Sequence, residues 1–155
     1  MKYLEDLITE RGKLIDGRIL KVDCFLNHQI DVAFVDKLGE EFYRIFSSYN
    51  ITKILTVEAS GIPAAMATAV AMGNLPMVFA KKHKTSNVDG DVYSTPVHSF
   101  THGTDYTVVV SRDYLTAGDT VLLVDDFLAN GCALQGLTDL CTNAGATVEG
   151  IGIAI

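Results

Sequence analysis

Two adjacent carboxylates, Asp125 and Asp126, end the apolar run that begins at Thr120, and the small-residue stretch Ala129-Asn130-Gly131-Cys132-Ala133 follows almost at once. Apolar residues then recur at Leu134, Leu137, Leu140 and Ala144, as on one face of a helix. A strand, a turn and a helix start are therefore expected. The first N–H groups of a helix lack intrahelical acceptors, and small residues let an anion approach them. Carboxylates would not hold that anion. They suit hydroxyls, or a hydrated metal, beside it. Phosphate flanked by hydroxyls suggests a phosphorylated ribose. A buried strand ending in a solvated acidic pair, or a receiver-type domain, would produce the same short pattern.

A second stretch of similar form is Thr56-Val57-Glu58-Ala59-Ser60-Gly61-Ile62, where another apolar run delivers small residues to a helix start. It reads as a second anion loop, or as a tight turn with Ser60 as the helix cap. Lys81-Lys82-His83-Lys84 follows a third apolar run in a chain of formal charge −7. Such a run is either a solvated face or a group of cations placed to neutralise phosphate. His98 and His102 are four apart but lack a third ligand. Ser60 does not sit in a G-x-S-x-G elbow, and the chain has neither a Walker A loop nor G-x-G-x-x-G.

These residues need a scaffold, and alternation along the chain supplies one. Leu4, Leu7 and Ile8 mark a first helix stopping near Gly12, and Arg18 to Phe25 reads as extended. Val35, Leu38, Phe42, Ile45 and Tyr49 give a helical stripe ending near Asn50. Ile51–Val57 is a strand, Pro63 opens a small-residue helix ending about Gly73, and Met77–Ala80 is a short strand. Lys81 to His102 is polar and aperiodic, a long mobile excursion returning through antiparallel strands that include Tyr106 to Ser111. Gly145 ends the last helix and Thr147–Ile155 is a final strand. The fold class is α/β, a mainly parallel sheet flanked by helices. In such sheets ligands gather at the carboxyl ends of the strands, so the two loops can face one crevice.

The 155 residues fit one domain, and 48% hydrophobic with 20% charged residues describes a soluble globular chain. Net acidity disfavours a general nucleic-acid or membrane-surface binder. Cys24, Cys132 and Cys141 form neither a disulfide framework nor a zinc spacing, which points to a reducing cytosol. No signal-peptide core or membrane-length apolar stretch appears.

The acidic strand and its loop resemble the phosphoribosyl-pyrophosphate signature of the type I phosphoribosyltransferases. Leu20 to Asp31, Phe79 to Lys84 and Val124 to Gly131 resemble, within that family, the bacterial xanthine-type enzymes. The resemblance implies a single domain over residues 1–155, with 1–30 a hood over the purine and 31–155 the core. It assigns Leu20 and Asn27 to the base, Ala129 to Ala133 to the 5-phosphate, and Glu58 to Gly61 with Lys81 and Lys82 to pyrophosphate. A lysine of this kind sometimes acts in a neighbouring subunit, and a homodimer is implied. The family continues past the last strand with an acidic residue, a base-contacting lysine and further hood, whereas this sequence stops at Ile155. A hood short at its C-terminal side is therefore expected.

The implied reaction is transfer of a 5-phosphoribosyl group from phosphoribosyl pyrophosphate to xanthine, giving XMP and pyrophosphate in purine salvage. Asp125 and Asp126 would be the catalytic pair, and Mg²⁺ would arrive on the pyrophosphate without direct protein ligands. Residues Lys84 to His102 would close over the site. Purine repressors share Asp-Asp-Phe at this strand, so a non-catalytic regulator that senses phosphoribosyl pyrophosphate is the rival reading. Repressors add a DNA-binding domain and basic surface that this sequence lacks.

Overall fold

The computed structural model describes residues 1–82, 91–99 and 104–155. The chain opens with α1 (Lys2–Arg11), a hairpin of β1 (Lys13–Ile15) and β2 (Ile19–Lys21), a π-helical turn over Asp23–Asn27, and α2 (Val32–Phe46). The extended stretch expected over Arg18 to Phe25 stops at Lys21. Phe25 and Leu26 are consecutive and both fully buried, which a strand alternating between faces cannot do. A wide helical turn puts both inward.

Asp31 caps α2 by accepting the Phe34 N–H at 3.2 Å. Val35, Leu38 and Phe42 are buried as their spacing requires, but the stripe ends there. Ile45 and Tyr49 are exposed, and the helix stops at Phe46.

Next come β3 (Lys53–Val57), α3 (Gly61–Ala71), β4 (Met77–Ala80), the hairpin of β5 (Val92–Ser99) and β6 (Thr104–Ser111), β7 (Thr120–Asp125), α4 (Cys132–Ala144) and β8 (Thr147–Ile153). Four parallel strands form the central sheet in the order β4-β3-β7-β8. The α3 and α4 crossovers supply the connections that parallel neighbours need. The last strand ends two residues before the expected Ile155, whose N–H donates instead to the Asp126 carbonyl at 3.0 Å.

Apolar side chains cover both sheet faces. Ile54, Leu122 and Val124 pack against α2, α3 and the N-terminal segment. Leu55, Val57, Val121 and Leu123 pack against α4 and the β5–β6 hairpin. The expected antiparallel return is this hairpin, joined to the sheet edge by a bridge between Lys81 and Val109. Residues 83–90 and 100–102 of the expected mobile excursion lie outside the described residues, and 92–99 is strand. At the opposite end, Lys53 and Asp119 form an ion pair at 2.7 Å with both side chains 13% exposed, tying the start of β3 to the turn before β7.

Candidate active site

The register brings three strand ends level. Val57 pairs with Ala80, Leu55 with Leu123, and the residues that follow these strands emerge at one edge. Glu58, Lys81 and Asp126 are those residues. Two turns that are far apart in sequence thus become neighbours. The Ser60 hydroxyl donates to Asp126 Oδ1 at 3.1 Å, and the Lys82 N–H donates to Glu58 Oε1 at 2.5 Å. Ser60 stands at the N-cap of α3 but makes no side-chain cap bond, so its hydroxyl serves the carboxylate and not the helix. The Glu58–Ala59 peptide is cis.

Asp125 and Asp126 are only 6% and 5% exposed. The Asp126 N–H donates to Asp125 Oδ1 at 2.9 Å. Burial pushes the Asp125 carboxyl up to about 7, with the Asp126 side chain adding to the shift and Lys82 working against it. Gly61 lies over this carboxylate. A side-chain carbon there would collide with Thr56 Oγ1 and would come within 2.6 Å of Asp125 Oδ1. Only glycine admits this approach of helix to acid.

The turn after β7 bends through left-handed backbone at Ala129 (φ 45°) and Gly131 (φ 73°). A left-handed alanine is uncommon and is held here by its surroundings. The Gly131 N–H donates to the Leu128 carbonyl at 2.7 Å, and the Gln135 N–H donates to the Gly131 carbonyl. Between them, the backbone N–H groups of Cys132, Ala133 and Leu134 find no acceptor among the described residues. They form an N-terminal cradle suited to an anion.

Tyr106 was not among the residues the sequence pointed to. It faces the site from β6, where burial raises its phenol above its usual range and the charges of Asp125 and Cys132 add to the effect. The Lys82 ammonium lies 5.5 Å from its ring centroid. Thr56 was missed as well. Each is a single residue inside an ordinary strand, so no spacing signalled either one.

No hydrogen bond among the described residues joins Leu20 or Asn27 to this cluster. Leu20 is half-buried on β2 and packs on the same core as Phe127, the residue after the acidic pair. Asn27 is exposed at the end of the π-helical turn. A hollow of about 540 Å³ lies along β4, lined by Lys53, Met77, Lys81, Val109 and Tyr114 among others, so it shares Lys81 with the strand-end cluster. It flanks the length of the strands and includes neither carboxylate, whereas ligands in parallel sheets gather at the carboxyl ends.

Comparison with known proteins agrees with the geometry. The phosphoribosyl transferase domain family matches residues 27–155. The chain is 56% identical over its whole length to a xanthine phosphoribosyltransferase of Bifidobacterium longum, covering 80% of that protein. It is 49% identical to the xanthine phosphoribosyltransferase of Clostridium tetani, covering 82% of it. Among solved structures, the fold is similar to the adenine phosphoribosyltransferase of Giardia lamblia complexed with 9-deazaadenine, with TM-score 0.77, 25% identity, and 97% of this chain and 82% of that one covered. The yeast adenine enzyme, at 17% identity, shares the fold with TM-score 0.76, covering 99% of this chain and 88% of that one. With a family model covering residues 27–155 and relatives about half identical over the whole chain, the chain belongs to the phosphoribosyltransferase domain family.

Proposed function

We propose that the chain transfers the 5-phosphoribosyl group of phosphoribosyl pyrophosphate to a ring nitrogen of xanthine, forming XMP and releasing pyrophosphate in purine salvage. The observation that carries this reading is the buried Asp125–Asp126 pair, held between two turns by the Ser60 hydroxyl. The choice of xanthine is supported by relatives of about half-identical sequence that bear that name.

The anomeric carbon passes through an oxocarbenium-like state as its bond to pyrophosphate breaks and its bond to the base forms. Negative groups placed beforehand near that carbon stabilise the developing charge. Asp125 and Asp126 hold the ribose hydroxyls and provide that field. The loop from Ala129 to Ala133 receives the 5-phosphate, with the N–H groups of Cys132 and Ala133 free to donate to it and that of Gly131 held by the Leu128 carbonyl. Glu58 to Gly61 shape the pyrophosphate loop, with Lys81 and Lys82 beside it supplying positive charge. Mg²⁺ carried on the substrate pyrophosphate would screen its charge and would need few protein ligands. Leu20 packs on the purine face and Asn27 offers a donor and an acceptor to its edge. Residues 1–30 act as hood and 31–155 as core of one domain.

A cytoplasmic homodimer completes the reading. No helix among the described residues is long and apolar enough to cross a membrane. The test is to incubate the purified chain with phosphoribosyl pyrophosphate, Mg²⁺ and xanthine, guanine, hypoxanthine or adenine in turn. XMP as the principal product is expected. Binding of phosphoribosyl pyrophosphate with no nucleotide from any base would favour a sensor instead.

A further inference from the structure

Past its first residue, Lys53, β3 is apolar at Ile54, Leu55 and Val57, and Thr56 interrupts it. Thr56 is fully buried, and its Oγ1 is the one buried side-chain polar atom among the described residues with no hydrogen-bond partner. A hydroxyl in that condition lowers stability, and valine would keep the shape and the β-branching without it. The hydroxyl is also specifically placed. Thr56 Oγ1 and Asp125 Oδ1 both crowd the point where a Gly61 side chain would begin. The next nearest atom to that point is Asp125 Cγ, at 3.5 Å. Donor and carboxylate therefore share one small space over the first residue of α3. Asp125 Oδ1 meanwhile accepts the Asp126 N–H.

We propose that Thr56 is a positioning residue for the phosphoribosyl site, its hydroxyl donating to Asp125 once ribose hydroxyls draw that carboxylate into its bound rotamer. The proposal rests on the function proposed above. A hydrogen bond made only with substrate in place contributes to binding and turnover and adds nothing to the free fold. An unpaired donor inside the resting protein is the expected signature of such a residue.

The test compares full-length Thr56→Val and Thr56→Ser with the wild type, measuring kcat/KM for phosphoribosyl pyrophosphate, its affinity by calorimetry, and Tm. Thr56→Val is expected to melt at or above the wild type while its kcat/KM falls about 10-fold, the loss of one hydrogen bond to a charged group. Thr56→Ser, which keeps the hydroxyl, is expected to stay within about threefold of the wild type. Three results overturn the proposal: Thr56→Val with unchanged kcat/KM, Thr56→Ser losing as much as Thr56→Val, or Thr56→Val failing to fold or melting several degrees low. If the wild type binds phosphoribosyl pyrophosphate but makes no nucleotide, the function falls separately and the variants' affinities decide Thr56 by the same criteria. A wild type that does neither removes both.

Discussion

The Ser60 hydroxyl donates to Asp126 Oδ1 at 3.1 Å although the two residues lie 66 positions apart in the chain. This bond joins the turn after β3 to the turn after β7 and holds the carboxylate facing both. Ser60→Ala is expected to lower kcat/KM by about 10- to 100-fold, since a hydrogen bond to a charged group is worth roughly 1.5–3 kcal/mol. Asp126→Ala is expected to abolish XMP formation while circular dichroism reports an intact fold. Undiminished XMP synthesis by Asp126→Ala removes its assigned role.

Gly61→Ala places a carbon against Thr56 Oγ1 and Asp125 Oδ1. Thr56 and Asp125 are both buried on the inner strands of the sheet, so the added carbon must displace packed atoms. Overpacking of this kind costs about 1–3 kcal/mol, so a Tm several degrees lower is expected together with loss of turnover. An alanine variant with wild-type Tm and rate would show that α3 can lift away freely.

Stability should depend on pH through Asp125. Its carboxyl is pushed up to about 7 from an ordinary 3.8, first by burial and then by the Asp126 side chain. The folded state therefore keeps a proton that the unfolded chain has released. The resulting stabilisation is complete below about pH 4 and is lost as pH rises through about 7. Asp125→Asn cannot titrate and should flatten that decline. Melting curves of both proteins without substrate, from pH 4 to 8, check this, and parallel profiles would contradict it. Asp31 and Glu41, held below the usual range by Arg11 and Arg44 respectively, act at lower pH and cancel in the comparison.

Arg11 anchors the segment that carries Asn27. Its Nη1 donates to Asp31 Oδ2 at 2.6 Å, its Nη2 donates to the Cys24 carbonyl at 2.9 Å, and its guanidinium lies 5.5 Å from the Phe25 ring centroid. Arg11→Ala should loosen the hood and leave the acidic cleft intact. KM for xanthine is expected to rise several-fold with KM for phosphoribosyl pyrophosphate within about twofold of the wild type. The opposite split in steady-state kinetics would detach residues 1–30 from base binding.

Long periodic segments were legible because burial repeats with the geometry of the element. The alternation of apolar runs with helical stripes is enough to predict the parallel sheet, and Gly145 ends α4 as a left-handed residue should. The π-helical turn at Asp23–Asn27 was not legible, since five residues carry no period of their own and only packing requires Phe25 and Leu26 both to face inward. β5 was only partly legible. Pro96 lies within β5, and among the described residues β5 pairs with β6 alone, which leaves a proline tolerated there.

By itself, the sequence determined that two strand-to-helix junctions would present small residues, that one would carry Asp125 and Asp126, and that lysines would follow a third strand. Those are local facts, set by backbone propensity and side-chain size. The tertiary structure alone decided that Ser60 turns from helix cap to carboxylate partner, that Gly61 lies against Asp125, and that Thr56 is left without an acceptor. Sheet register sets these distances, and register depends on contacts between segments many residues apart, which local spacing does not encode.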